Sequence, residues 1–434
     1  MGYKDETQKM RKRNMKLFSS YKSIAWDYLF YYTIDFLFLT QIKHISAADV
    51  VLLSSIGSIF GILLQIPANI IIEFLGRKNS IIFGNIINCL YMLVFMLSGN
   101  FWNLIIAKFL ASLAGAIKGI AEPSLLNESI PPSRYKSSIF AKINAKGAAR
   151  YYLIGAISKI IAGFLFEING YLPIILSLAV LVIVTFMSMF YIEPIKKKKS
   201  NFNEIVGKKQ LKDIEYGFKY ILKSERLKAL ILPACLLTSL FSILMNYQTS
   251  LLKDIQVSSF WIGMISAIQT FISSYASKKQ EGFHNAFRNK SIMIIALMAS
   301  ISAIVAGIMG IKVQTFRMLL IIIIICYMIA KFAHGMYYTI MDRYFRNFTN
   351  NKIDTKVFAV KNLFTNLTSA IMGIMASFLL SKTKTAYAMI IVGGTFTILF
   401  ILMEKYMKKR VGLKPEEYSK EERKYDELKE QDAN

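Results

Sequence analysis

At 434 residues and 54% hydrophobic side chains, this chain carries more apolar surface than an ordinary soluble domain can hide, and spans of about 20 apolar residues are the direct way to bury it. The formal charge of +26 does not point to nucleic acid, because Lys and Arg recur in alternate loops instead of collecting on one basic face. Cys89, Cys235 and Cys326 each lie alone in an apolar segment, which gives no support to a disulfide framework or a thiolate metal site.

In chain order, the basic start (Lys9, Arg11, Lys12, Arg13, Lys16) leads without a small-residue cleavage site into a first span, 22 to 42, that holds Asp27 and Asp35. Further apolar runs follow at 47 to 75, 80 to 98, 101 to 123, 138 to 165, 171 to 193, 228 to 251, 258 to 277, 290 to 310, 316 to 341, 354 to 381 and 385 to 407. They predict an all-α integral membrane protein of twelve helices. The basic loops alternate in side: the N-terminus, Arg77-Lys78, Arg134, the 196 to 226 stretch, Arg288, Arg343 and Lys408-Lys409-Arg410 share one face, so both termini are expected in the cytoplasm of a cell-membrane protein.

Between the sixth and seventh spans, 194 to 227 opens with Lys196 to Lys199 and sets Phe202, Ile205, Leu211, Ile214, Phe218 and Ile221 near helical spacing. This reads as an amphipathic linker helix burying that stripe in the inner leaflet, with membrane lipids as partners. The expected limits are therefore 1–193 for an N-terminal six-helix bundle, 194–227 for the linker, 228–407 for a C-terminal six-helix bundle and 408–434 for a charged tail. Two short echoes support a duplicated unit. Arg77-Lys78-Asn79-Ser80-Ile81 returns as Arg288-Asn289-Lys290-Ser291-Ile292, and Phe140-Ala141 with Asn144 returns as Phe358-Ala359 with Asn362, at equivalent places in each half.

Ionisable groups inside a bilayer need a partner, water or a function. The first span carries Asp27 and Asp35, the fourth Lys108, Lys118 and Glu122, the fifth Lys146, Arg150 and Lys159, and the tenth Lys331 and His334. Lys118 and Glu122 are one helical turn apart and can neutralise each other, or Glu122 can titrate. Asp35, deeper than Asp27, is the better candidate for proton coupling. Lys142, Lys146 and Arg150 form one basic stripe, with Asp35 or Glu122 as the expected partner of Arg150. Asn246, Tyr247, Gln248 and Gln269 in spans seven and eight, and His334, Tyr337 and Tyr338 in span ten, are uncharged or neutral groups suited to orienting a substrate.

The turn Ile72-Glu73-Phe74-Leu75-Gly76-Arg77-Lys78 resembles the cytoplasmic loop signature of the major facilitator superfamily, with Glu73 for the acid, Gly76 for the central glycine and Arg77-Lys78 for the basic pair. Asn69 and Phe74 depart from that pattern. Lys108-Phe109-Leu110 is similar to the Arg-bearing motif of proton-coupled members, and Glu128 to Arg134 to the loop after span four, whereas the Gly-Pro exporter motif is replaced by Gly155-Ala156-Ile157-Ser158-Lys159. The resemblance implies two pseudo-symmetric six-helix bundles that work by alternating access. It also implies a gate in which Glu73, Gly76, Arg77, Lys78, Arg134 and Lys356 take part. Proton-coupled export of a small amphipathic compound is the first expectation. Uptake of an organic anion, or flipping of an anionic lipid, is the second, and a non-transporting receptor or scaffold the third. No enzyme motif is present: Gly-x-Ser-x-Gly, His-x-x-x-His and a phosphate-cradling Gly-Lys-Ser loop are all missing. A monomer without cofactor or metal, and with no nucleic-acid partner, is expected.

Overall fold

The computed structural model describes residues 2–131, 135–193, 205–349, 354–408 and 410–411, and contains no strand among them. The helices are α1 (Gly2–Ala25), α2 (Asp35–Leu37, running into a π-helical turn Phe38–Ile42), α3 (Ala47–Leu63), α4 (Gln65–Leu97), α5 (Phe101–Ser129), α6 (Lys136–Ile168), α7 (Leu172–Met189), α8 (Ile205–Lys223), α9 (Glu225–Asp254), α10 (Ser259–Phe287), α11 (Ser291–Lys312), α12 (Leu319–Asn347), α13 (Asp354–Lys382) and α14 (Thr385–Lys408). Among the described residues, nine helices are long and apolar enough to cross a membrane, and Ala47–Leu63 is a shorter apolar one. Arg134, Lys196 to Lys199, Phe202 and the tail beyond Val411 lie outside the described residues.

Four features separate this pattern from the twelve runs read in the sequence. The first span is not continuous, because helix stops at Ala25 and resumes at Asp35. The helix that leads into it, α1, begins well before residue 22, and Asn14, Phe18 and Tyr21 on it are buried. The second span is interrupted at Leu64, between α3 and α4. Finally, α4 is two helices merged across a kink at Gly76, whose φ of 81° is open to glycine and strained for other residues. Serines, Gln269, Lys278 and Lys279 make α10 less apolar than its neighbours.

The chain forms two compact units. The first contains residues 1–46, 59–207 and 258–267, and the second 47–58, 208–257 and 268–434. Two helix ends therefore group differently from the limits expected at 193 and 228. In the first unit, the start of α10 packs on α6 through paired glycines: a Cβ on Gly263 would meet the Lys159 carbonyl oxygen at 2.6 Å, and a Cβ on Gly163 the Ser259 carbonyl oxygen at 2.5 Å. Small residues let the backbones approach this closely. Glu167 accepts the Phe260 N–H at 3.0 Å beside them. In the second unit, Ser377 of α13 donates to the Ala48 carbonyl at 2.7 Å.

The linker helix α8 docks on α13. A Cβ on Gly217 would meet the Lys356 carbonyl at 2.7 Å, Asp213 pairs with Lys356 at 3.0 Å, and Phe218 stacks on Phe364 at 5.9 Å between centroids. Of the expected apolar stripe, Ile221 is buried while Leu211 and Phe218 remain exposed. Protein thus covers part of one face of the linker.

Candidate functional site

The irregular stretch 26–34 interrupts the first span between α1 and α2 and carries Asp27 and three tyrosines. Trp, Tyr, Phe, Thr and Ile lose rotamer freedom in a helix, and Asp27 competes for backbone donors, so local sequence holds helix weakly here. Phe30 takes a left-handed φ of 67°. Part of the backbone released by the break finds partners, although the Thr33 hydroxyl within it is buried without one among the described residues. Lys118 of α5 donates to the Ala25 carbonyl at 3.3 Å, a cation at a helix C-terminus. Ser177 of α7 donates to the Leu29 carbonyl at 2.6 Å. Asp27 accepts the Tyr28 N–H at 3.1 Å, and Asp35, opening α2, accepts the Phe36 N–H at 2.8 Å. A break is tolerated at membrane depth where its polar groups are satisfied in this way.

The side-chain partners set the break beside the middle of the helix that follows Gly76. Beyond Gly76, α4 runs about 30 Å at 1.5 Å per residue, and Asn85, Asn88 and Tyr91 lie near its middle. Tyr28 donates to Asn88 at 2.7 Å, Tyr91 to Tyr31 at 2.5 Å, and Tyr21 to Glu122 at 2.9 Å while accepting from Asn85 at 3.0 Å. Tyr151 of α6 donates to Asp27 at 2.9 Å. Trp26 packs on Tyr151 and Tyr152 at 5.3 and 6.0 Å between centroids.

Glu122 has a base one turn away, Lys118 at 3.6 Å, whereas Lys108 and Lys159 act on Asp35 and Asp27 only at longer range. Arg150, expected on Asp35 or Glu122, instead reaches the Ser20 hydroxyl at 3.5 Å. Lys146 is exposed on the same stripe.

In the second unit the sequence-read groups divide in two. Tyr247 gives its hydroxyl to the Ala376 carbonyl at 2.6 Å, and Tyr337 bonds the Ala234 carbonyl at 2.6 Å and Thr238 at 2.6 Å, so both are fully buried locks between helices. Gln269 donates to Gln248 at 3.3 Å, and Asn246 to Ser54 at 3.4 Å, a half-buried amide cluster. His334 packs edge-on against Phe241 and Tyr338, and Lys331 is half-buried one turn before it.

At the Gly76 turn, Glu193 takes the place of a cap, accepting the N–H groups of Arg77 at 2.9 Å and Lys78 at 2.7 Å. Arg77 bridges Glu128 at 3.2 Å and Glu73 at 3.8 Å, while Lys356 sits with Asp213. Glu193, Asn85, Asn88, Tyr151 and the tyrosines of the break were not singled out from sequence. The run Asp27-Tyr28-Leu29-Phe30-Tyr31-Tyr32-Thr33-Ile34-Asp35 carried a signal, since it clusters aromatic and β-branched residues between two acids.

A sequence profile described as Major Facilitator Superfamily matches residues 23–329. Among curated proteins no sequence matches. Solved structures with the same fold include a nucleoside transporter NupG mutant (TM-score 0.70, 11% identity, covering 92% of this chain and 99% of that one). A bacterial homologue of the human lysosomal transporter Spinster, inward-facing and unoccupied, gives a TM-score of 0.67 at 14% identity, with 94% and 99% covered. A D-xylose–proton symporter gives 0.67 at 10% identity, also with 94% and 99% covered.

Proposed function

The chain belongs to the Major Facilitator Superfamily, and on that premise we propose that it moves a small amphipathic compound across the cell membrane by alternating access, exchanging it for protons. What supports this reading is the broken first span, which carries Asp27 and Asp35 among buried tyrosines, with Lys159 and Lys108 of other helices acting on them at longer range. A carboxylate beside a lysine can release and regain a proton as the lysine's distance or the local water changes, which is the requirement for coupling. The arrangement of twelve spans in two six-helix bundles and the cytoplasmic placement of both termini belong to the same proposal, the latter resting on the alternation of basic loops.

Purified protein in proteoliposomes with an imposed pH step, screened by counterflow against a compound panel, tests the reading. Asp35→Asn should abolish pH-driven accumulation while leaving substrate exchange. Unchanged pH dependence in both Asp35→Asn and Asp27→Asn would mean a uniporter. Cysteine placed at Ile205 should resist an impermeant maleimide outside intact cells, and strong external labelling would reverse the orientation.

A further inference from the structure

The seam between α1 and α6 in the first unit carries charge that the acids there do not balance. Glu122 pairs with Lys118 at 3.6 Å, and Asp35 and Asp27 feel Lys108 and Lys159 at longer range. Lys22, Lys146 and Arg150 remain. Among the described residues, none of these three has a carboxylate within ion-pair distance; Lys22 only feels Glu122, already shared with Lys118, at longer range. Their contacts are neutral. The Lys22 ammonium is held by the Asn144 amide oxygen and lies 4.2 Å above the Trp26 ring, and the Arg150 guanidinium reaches back to Ser20, two residues from Lys22.

The backbone is built to keep this seam tight. A Cβ on Gly147 would stand 3.0 Å from the Lys22 Cβ and 3.3 Å from the Ser19 carbonyl, so glycine lets α6 close on α1 where Lys22 emerges. One turn further along lies the aromatic group of Trp26, Tyr151 and Tyr152, with Trp26 44% exposed although it stacks on both tyrosines. Asp27, beyond the rings, has an oxygen occupied by Tyr151 and the other by the Tyr28 N–H. The seam therefore offers a cationic end and a flat apolar end, in that order.

We propose that this seam is a substrate subsite for an organic anion bearing a flat ring, the anionic group on Arg150 and Lys22 and the ring against Trp26 and Tyr152. The proposal rests on the transport reading above and names the substrate's charge. An anion supplies the two cations with the charge-assisted bonds that Ser20 and Asn144 replace only weakly, and a ring adds stacking on an exposed indole. A cationic compound meets a surplus of like charge.

The test is calorimetric titration of the full-length protein in phosphatidylcholine nanodiscs at one pH, with 2-naphthoate, its neutral analogue 2-naphthamide and 2-naphthylmethylamine. 2-Naphthoate should bind at least about tenfold more tightly than the other two, the factor that one charged hydrogen bond supplies. Arg150→Gln and Lys22→Gln should each remove that advantage while leaving 2-naphthamide unaffected, Arg150→Lys should restore part of it, and Trp26→Leu should weaken both ring compounds alike. Equal affinity for acid and amide, or preference for the amine, would overturn the assignment. So would a seam that answers only to phosphatidylglycerol added to the disc, which would make it a lipid site. No gradient is present, so this result stands apart from coupling: binding with no pH-driven transport overturns the proton reading alone.

Discussion

The first span and α9, which opens the sequence's second half, meet the same membrane with opposite solutions. In α9, helix runs unbroken from Glu225 to Asp254 with Pro233 inside it, and its core face is apolar. The first span contains no proline or glycine between Lys22 and Lys43, yet its helix opens for nine residues. The difference is in what the surroundings supply. Around the break, Lys118, Ser177, Asn88 and Tyr151 provide partners for freed backbone and side-chain groups. Around α9, the neighbours supply packing and single hydroxyl bonds, such as Tyr337 onto the Ala234 carbonyl. A helix in a membrane breaks where polar partners await the released groups, and a proline alone does not decide it.

That comparison breaks if Lys118 is dispensable. Lys118→Met should strand the buried Glu122 and the Ala25 carbonyl, lowering stability by about 3 kcal/mol, whereas Tyr337→Phe beside α9 should lose only about 1 kcal/mol. Thermal unfolding in one detergent reads both, and equal losses would mean that Lys118 is no more than a packing residue. A smaller effect comes from its seat. A Cβ on Gly84 would fall 2.8 Å from the Lys118 Cγ, so Gly84→Ala should cost about 1–2 kcal/mol by moving the lysine stem, while Gly115→Ala on α5, which meets nothing within 4 Å, should be neutral or stabilising.

The sharpest contrast is one of sign. At Phe30, with its φ of 67°, the Gly variant should be more stable than the Ala variant by about 1 kcal/mol. At Leu232, exposed on the regular α9, Gly should be less stable than Ala by about the same amount. Comparing Gly with Ala at each position cancels most of the lost side chain. Like signs at the two sites would mean that the break is not maintained in the folded protein.

The smallest effect concerns how the two segments are anchored. Asn14, in α1 ahead of the first span, holds Ser129 and the Ile192 carbonyl through neutral bonds at 3.0 and 2.7 Å. Glu225, ahead of the predicted span 228–251, bonds Lys228, Tyr406 and Arg410, and the Lys228 bond above all holds its carboxyl below the usual 4.5. Because the folded-state value is depressed, its stabilisation is present above the unfolded value near 4.5 and is lost as pH falls through the folded one. For a side chain 44% exposed this amounts to a few tenths of a kcal/mol. Glu225→Gln should accordingly flatten the stability profile below pH 5, and Asn14→Ala should leave its shape unchanged.

Sequence by itself determined the helical membrane class, the tight turn at Gly76 and the lodging of acids and lysines within apolar spans. These follow from hydropathy, glycine chemistry and charge spacing, which are local properties of the chain. It also put Lys118 one turn from Glu122, a contact that helix geometry alone enforces. Tertiary structure decided the rest. Arg150 turned to Ser20 rather than to an acid, Glu193 capped the helix after Gly76, and the linker's Asp213 met Lys356. The break at 26–34 belongs to the same group, because its freed carbonyls are answered by residues about 90 and 150 positions away. Single residues there have weak helix preference and no breaker, so the balance between helix and turn is tipped by polar partners that only the folded bundle brings within reach.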